Sequence, residues 1–475
     1  MNETIMQSRP MRRSAPSATA LASQSGTIFA LSSAPGRAGV AVARVSGPRA
    51  GAALKALAGA VPPARQARLA PIRDPRNGEI IDRGLVLWFP GPRSFSGEDV
   101  AEFQVHGGPA VIAALLDALG GIEGVRPAAP GEFARRAFEA GKLDLSEVEG
   151  LADLIDAQTQ AQRRQALRQM DGALSRRCEA WRARLIEALA RLEATIDFTD
   201  EDLPGNPNAT AMYDILCFRD ELAQYIAHPD WGERLRAGLY VAIVGPPNAG
   251  KSSLVNVLAR RDVAIVAASA GTTRDVLEVN LDLGGFPITM ADTAGLRAAT
   301  GETPASGSPT LGEIEQEGMR RARARAAGSD LKLVVFDGSV PGFDAAALEL
   351  IDAGSLVVLN KSDLASGPAP SQVAGAPALA VSAKTGAGLA ALLARIEARV
   401  RDGVESLGDA PMTRARHRQA LEACVAALDR AVAAPAPELV AEDMRLAAQA
   451  LGRIAGRVDV EDVLDALFHE FCIGK

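Results

Sequence analysis

One short run limits what this chain can fold into more than any other feature. Gly245-Pro246-Pro247-Asn248-Ala249-Gly250-Lys251-Ser252-Ser253 reads G-x-x-x-x-G-K-S, and it lies between the apolar run Leu239–Val244 and a segment carrying Leu254, Val257 and Leu258. The glycines let backbone N–H groups point at phosphate oxygens, Lys251 can reach a β- or γ-phosphate, and Ser252 can offer a hydroxyl to Mg2+. A strand, this loop and a helix in that order commit the segment to a phosphate-binding α/β module.

Further groups follow in the order that a GTP-binding α/β fold requires. Asp292-Thr293-Ala294-Gly295 comes after the strand-like residues 286–291. There the carboxylate can reach Mg2+ through water and a glycine N–H can meet the γ-phosphate. Asn360-Lys361-Ser362-Asp363 follows the apolar residues 356–359. A carboxylate at Asp363 accepts hydrogen bonds from guanine N1–H and the 2-amino group, donors that adenine lacks. Ser382-Ala383-Lys384 would bring a backbone N–H to the guanine carbonyl, and Thr273 of Gly271-Thr272-Thr273-Arg274-Asp275 can bind Mg2+ and sense the γ-phosphate. Each short motif alone is an ordinary turn; in this order they define a guanine-nucleotide site. Leu296 stands where Ras-type enzymes place the glutamine that orients the attacking water, and leucine cannot do that. Glu313-Ile314-Glu315-Gln316-Glu317 supplies substitutes, although the same cluster serves equally well as an acidic helix start balanced by Arg320, Arg321, Arg323 and Arg325.

Around this module the chain changes character. Residues 26–142 mix β-like runs (40–45, 84–89, 100–105) with Gly/Pro turns and one helical stretch, 109–119, as in an α/β or α+β domain. Near Leu143 the pattern becomes helical. Ser146 and Glu149 form a capping-box signature. Leu167, Met170, Leu174, Cys178, Trp181, Leu185, Ala188, Leu192 and Ile196 then recur at spacings of three and four, the stripe of one long helix. A break at 203–208 precedes more helix to about Arg236, and the α/β pattern runs from Leu239 to about Arg399. Beyond a linker at 403–411, Leu421, Cys424, Val425, Leu428 and Val432 form one helical stripe, and Val460, Val463, Leu464, Leu467, Phe468 and Phe471 another. The fold expected is multidomain α/β. A disordered extension (1–25) precedes an N-terminal α+β domain (26–142), and a helical domain in two parts (143–236 and 403–475) holds an inserted Ras-like P-loop domain (237–402).

Composition narrows the partners. Of 475 residues, 51 are Lys or Arg and 58 are Asp or Glu, a formal charge of −7, so RNA contacts must be local or shared with a more basic partner. Cys178, Cys217, Cys424 and Cys472 form no C-x-x-C pair, which points away from zinc and disulfides and towards a reducing cytosol. No run of about 18 apolar residues is present, so no membrane span is expected. The first 25 residues are rich in Ser, Ala, Met and Arg with Glu3 the only acid, a composition that fits either a transit peptide or an unstructured extension.

From about residue 26 to its end the chain closely resembles the MnmE (TrmE) family of tRNA-modification GTPases, within the TrmE-Era-EngA-like superfamily. The most specific matches lie outside the nucleotide motifs: Pro35-Gly36-Arg37, Arg44-Val45-Ser46-Gly47, Ser96-Gly97-Glu98-Asp99, His106-Gly107-Gly108, Pro130-Gly131-Glu132-Phe133, Lys142-Leu143-Asp144-Leu145 and the terminal Phe471-Cys472-Ile473-Gly474-Lys475. The resemblance implies an N-terminal domain that binds 5,10-methylene- or 5-formyl-tetrahydrofolate through Arg44, Glu102 and Lys142, with Lys475 approaching, and that holds a constitutive homodimer. It makes Cys472 the family's functional cysteine. GTP contacts would come from Asn248, Ala249, Gly250, Lys251, Ser252 and Ser253, from Ala267, Ala268, Ser269, Ala270, Gly271, Thr272 and Thr273, from Asp292, Thr293, Ala294 and Gly295, and from Asn360, Lys361, Asp363, Ser382, Ala383 and Lys384. Ser252 and Thr273 would hold Mg2+. Asn248, Thr272 and the carbonyls of Ala267 and Ser269 would hold K+, which neutralises charge developing between phosphates. Glu315 would orient the attacking water. Gly26 departs from the family's usual Asp, and residues 298–312 form a longer Ser/Thr/Pro/Gly-rich segment than is usual.

The resemblance further implies a partner, the flavoprotein MnmG, in a heterotetramer that adds an aminomethyl or carboxymethylaminomethyl group to C5 of the wobble uridine of certain tRNAs. Folate would supply the one-carbon unit, FAD and NADH would belong to the partner, and the setting would be cytoplasmic. One rival is a GTPase switch for ribosome assembly; only residues 26–142 and the Cys472 tail separate it. A second rival, a stand-alone folate-dependent transferase with a regulatory GTPase, would need no flavoprotein.

Overall fold

The structure, a computed structural model, describes residues 26–197, 207–227, 231–260, 278–292, 328–352, 354–405, 409–458 and residues 464, 467, 468 and 474. Contacts gather the chain into two units, Met1–Val148 with Val460–Lys475, and Glu149–Asp459.

The first unit is built on a six-stranded sheet of order β3-β4-β5-β2-β1-β6. Its strands are β1 (Thr27–Leu31), β2 (Ala38–Ser46), β3 (Arg68–Arg73), β4 (Ile80–Phe89), β5 (Val100–Gly107) and β6 (Val125–Pro127). All pairings are antiparallel except β1 with β6. Strand alternation sends Ala41, Ala43 and Val45 of β2 and Ala101, Phe103 and Val105 of β5 to one face. There they pack in one core with residues of helices α1 (Ala50–Ala58) and α2 (Pro109–Gly120). The other face carries exposed Leu69 paired across strands with Leu85, exposed Val40, and the Arg44–Glu102 register pair. A third helix, α3 (Glu132–Glu139), sets Phe133 against Ile28 and Ala30 of β1. The single helix expected from sequence is therefore one of three in this region. The other two hide well: α1 is a nearly uniform Ala/Leu run without a polar stripe, and α3 is short and charge-rich.

The second unit opens with α4 (Leu145–Asp156), whose first residues belong to the first unit, and continues through α5 (Gln160–Met170), α6 (Ala173–Asp197), α7 (Pro207–Ala227) and α8 (Trp231–Ala237). Next come the inserted strands and helices α9 (Lys251–Ala259), α10 (Ala345–Leu348) and α11 (Leu389–Glu405), and it ends with α12 (Ala415–Ala433) and α13 (Pro437–Ile454). Trp181, Leu185 and Leu192 of α6, Phe218 and Leu222 of α7, Leu421 and Leu428 of α12, and Met444 and Leu451 of α13 share one core. Helices before and after the insert thus close around each other. The inserted sheet has order β12-β13-β11-β10-β7-β9-β8. Five strands are parallel, β7 (Leu239–Val244), β9 (Phe286–Asp292), β10 (Leu331–Asp337), β11 (Ser355–Asn360) and β13 (Ala376–Ala380). Short antiparallel strands β8 (Glu278–Leu283) and β12 (Gln372–Val373) close its edges. Every residue of β11 is buried, as expected of a parallel strand covered on both faces.

Three local expectations change. The capping box of α4 is Asp144 with Glu147, whose carboxylates accept each other's backbone N–H at 2.8 and 2.9 Å, and Ser146 and Glu149 are buried. The stripe from Leu167 to Ile196 is two helices, broken at Gly172, whose φ is +77°. Gly403 is not linker: α11 runs on to Glu405, and a Cβ at 403 would lie 2.2 Å from the Trp231 ring. Of the C-terminal stripe, Leu464, Leu467 and Phe468 are buried, while Val460, Val463 and Phe471 lie outside the described residues. No helix among the described residues is long and apolar enough to cross a membrane.

Candidate nucleotide site

The phosphate loop joins the carboxyl end of β7 to the start of α9, and sterics fix its two glycines. Gly245 has φ +144° and a Cβ there would lie 2.1 Å from the Val335 carbonyl oxygen; Gly250 has φ +86° and its Cβ would lie 2.3 Å from Asn360 Nδ2. Only glycine lets the loop lie this close to β10 and β11. Lys251 is 7% exposed, and its Nζ donates to the carbonyls of Gly245 (2.9 Å) and Pro246 (2.8 Å). The ammonium is therefore held inside the loop at the N-terminus of α9, where backbone N–H groups favour an anion. Asn248 is exposed with φ +61°.

The base-recognition motifs converge on the same loop. Asn360 Nδ2 donates to the Ala249 carbonyl (2.9 Å), and its Oδ1 accepts from Ala383 N (3.1 Å). One buried amide therefore ties the phosphate loop, the Asn360–Asp363 segment and the Ser382–Lys384 segment together. Ser382 Oγ donates to Asp363 Oδ1 (2.6 Å) and so orients that exposed carboxylate. The backbone of Asp292 ends β9 in register with Ile243, close to the loop. Residues Ala267, Ala268, Ser269, Ala270, Gly271, Thr272 and Thr273, residues Thr293, Ala294 and Gly295, and Glu315, Cys472 and Lys475 lie outside the described residues.

A second polar constellation occupies the first unit. Arg44 pairs with Glu102 (Nε–Oε1 3.0 Å), and its guanidinium lies 5.5 Å from the Phe95 ring centroid and 5.9 Å from that of Phe133. Beside it, sequence reasoning missed a network made from its own motifs. Ser46 Oγ donates to Glu98 (2.8 Å), and buried Arg136 reaches Glu98, Glu132 and the Gly26 carbonyl, each at 2.9 Å. Burial alone would raise the pKa of Glu132, but bonds from Arg126, Ala129 N and Arg136 outweigh it and hold the carboxyl below its ordinary value. The signal was present, since Ser46, Glu98 and Glu132 each belong to a motif; Arg136, which connects them, belongs to none. Lys142 lies along Gly97, whose Cβ would be 3.5 Å from Lys142 Cε. The chain's end reaches the same unit: Ser32 Oγ donates to the Gly474 carbonyl (3.0 Å), and a Cβ at Gly474 would come within 2.0 Å of the Leu31 oxygen.

A parallel sheet, a glycine loop with its lysine, and an amide that links this loop to the Asn360–Asp363 and Ser382–Lys384 segments are the parts of a P-loop nucleotide-binding domain, here set into a helical domain and accompanied by a separate α+β unit. The family model for the MnmE helical domain matches residues 145–472, and that for the GTP-binding protein TrmE N-terminus matches residues 27–142. The tRNA modification GTPase MnmE of Paramagnetospirillum magneticum is 55% identical over 454 residues, covering 95% of this chain and 100% of that protein. The tRNA modification GTPase MnmE of Parvibaculum lavamentivorans is 56% identical over 454 residues, covering 94% of this chain and 100% of that protein. The chain belongs to the MnmE family of tRNA-modification GTPases.

Proposed function

We propose that this chain is a K+-stimulated GTP hydrolase that works with the flavoprotein MnmG to add a carboxymethylaminomethyl or aminomethyl group at C5 of the wobble uridine of certain tRNAs, in the cytoplasm. The observation that carries the GTPase half is the Asn360 amide, which couples the phosphate loop to the Asp363 pocket through bonds of 2.9 and 3.1 Å. A shared rigid link of this kind lets base and phosphates be read as one ligand. The loop's residues suit the cations of such a reaction. Ser252, in the first turn of α9, would hold Mg2+ with Thr273. Asn248, exposed on its left-handed turn, would hold K+ with Thr272 and the carbonyls of Ala267 and Ser269. Bound there, the cations would neutralise phosphate charge. Glu315 would orient water, because Leu296 cannot.

The first unit supports the other half. Arg44, Glu102 and the partly exposed Phe95 combine donors, an acceptor and an aromatic face, a set that suits a tetrahydrofolate. Lys142 and Lys475 would add positive charge for its acidic tail, and the folate would supply a one-carbon unit. Cys472 would act near that group. FAD and NADH would be held by MnmG. The exposed apolar residues on the open sheet face favour a homodimer.

GTP hydrolysis measured in KCl and in NaCl tests the nucleotide reading. Potassium should accelerate turnover at least about tenfold, and equal rates would sink the proposal. Mass analysis of wobble uridines in a deletion strain tests the modification: unmodified uridine supports it, whereas unchanged modification overturns it.

A further inference from the structure

The carboxyl ends of β10 and β11 hold an ion pair of which Lys361 belongs to a nucleotide motif and its partner, Asp337, to none. Asp337 closes β10 opposite Asn360 of β11, and the Gly338 N–H donates to the Asn360 carbonyl (2.7 Å). Asp337 Oδ2 accepts from Lys361 Nζ at 2.6 Å. Its other oxygen accepts from Ser339 N (3.0 Å) and Ser339 Oγ (2.5 Å), so the carboxylate is fixed before it meets the lysine. Lys361 adopts φ +63°, a left-handed conformation that costs energy for a residue with a Cβ. Residues held in such conformations cluster at ligand clamps. A partly exposed Lys–Asp pair adds little to fold stability, so stability alone accounts poorly for placing one on a strained residue.

We propose that Asp337 is a positioning residue for guanine recognition: by holding the Lys361 ammonium across the ends of β10 and β11, it turns the lysine's four-carbon stem into a preset apolar wall for the purine beside Asp363. This rests on the guanine-nucleotide reading of the same pocket. A free lysine stem samples many rotamers, and ligand binding must then order it; a pinned one has that ordering already made. Ser339, Asp337 and Lys361 thus form a relay that ends on the base.

The test is a double-mutant cycle on the full chain, with GDP affinity measured by calorimetry. Asp337→Asn keeps the Ser339 bonds and removes only the acceptor for Lys361. It should weaken GDP about 5- to 20-fold, and Lys361→Ala should weaken it at least as much. Asp337→Asn added to Lys361→Ala should cost less than about twofold more, because the aspartate acts through the lysine. An independent multiplicative loss in the double variant, or unchanged GDP affinity in Asp337→Asn, overturns the assignment. If Asp337→Asn does not fold, Ser339→Ala, which loosens the same carboxylate, should weaken GDP in the Lys361 background but not in Lys361→Ala; any other pattern rejects the relay. Wild-type protein that binds no GDP would instead refute the guanine reading itself.

Discussion

At the scale of single residues, burial decides what a charge does. Glu149 is 1% exposed and accepts bonds from Arg416 Nη2 (2.7 Å) and His417 Nε2 (2.9 Å). Burial alone would raise its pKa, but His417 and Arg416 hold the carboxyl down at about 2. His417 is itself fully buried, and burial lowers its pKa, so Arg414 and Arg416, which both reach Glu149, carry the positive charge of the cluster. Because the folded pKa of Glu149 lies below its ordinary value, its contribution is complete above about pH 4.5 and drains away as pH falls towards 2. Glu149→Gln should cost about 1–3 kcal/mol at pH 7, since it removes the buried carboxylate shared by the partly buried Arg414 and Arg416. Urea melts should also find the variant's stability falling less than the wild type's between pH 4.5 and 2. Asp363 is the contrasting case, an exposed carboxylate that the proposed function makes the reader of guanine. Asp363→Asn should weaken GTP about 10- to 100-fold while xanthosine triphosphate, with a carbonyl in place of the 2-amino group, gains; competition binding checks both.

At the scale of elements, close approach of backbones matters more than hydropathy. Gly403 lets α11 lie against Trp231 of α8, where an added Cβ would meet the ring at 2.2 Å. Gly403→Ala should destabilise the inserted domain by about 1–3 kcal/mol in urea melts followed by Trp fluorescence. Gly367→Ala, with nothing within 4 Å, should be silent. The same physics marks what was readable in advance. The β7 and β11 strands and the glycine loop were legible because parallel strands covered on both faces leave continuous apolar runs, and because phosphate binding demands glycine at fixed spacing. The break at Gly172 was not, because Met170 and Leu174 keep helical spacing across it and only the backbone turns away. Ser146/Glu149 and Asp144/Glu147 have the same capping spacing; tertiary burial of the first pair selects the second. Arg136 and Asp337 were silent for a related reason. Each earns its role from partners distant in sequence, Gly26 and Glu98 for the one and Lys361 for the other.

At the scale of the molecule, the open face of the six-stranded sheet raises a problem that a second copy would solve. Leu69 is 71% exposed, Val40 58% and Leu85 39%, on the face opposite the one packed beneath α1 and α2. Leu69 and Leu85 face each other across β3 and β4, so the exposed groups form a patch rather than scattered single residues. Arg44 and Glu102 lie in adjacent registers of the same face, so a partner seated there would come close to the proposed folate site. Self-association through one patch is isologous: each altered residue enters the interface twice. A charge at its centre is then opposed by its own symmetry mate in a desolvated setting. Leu69→Arg should therefore convert a dimer to a monomer at micromolar concentration in sedimentation velocity, a loss of at least about 100-fold in dimer affinity. Leu439→Arg, at a 53% exposed position on α13, should leave the dimer intact. A wild-type monomer, or a dimer indifferent to Leu69→Arg, would show that this face does not hold the subunits together.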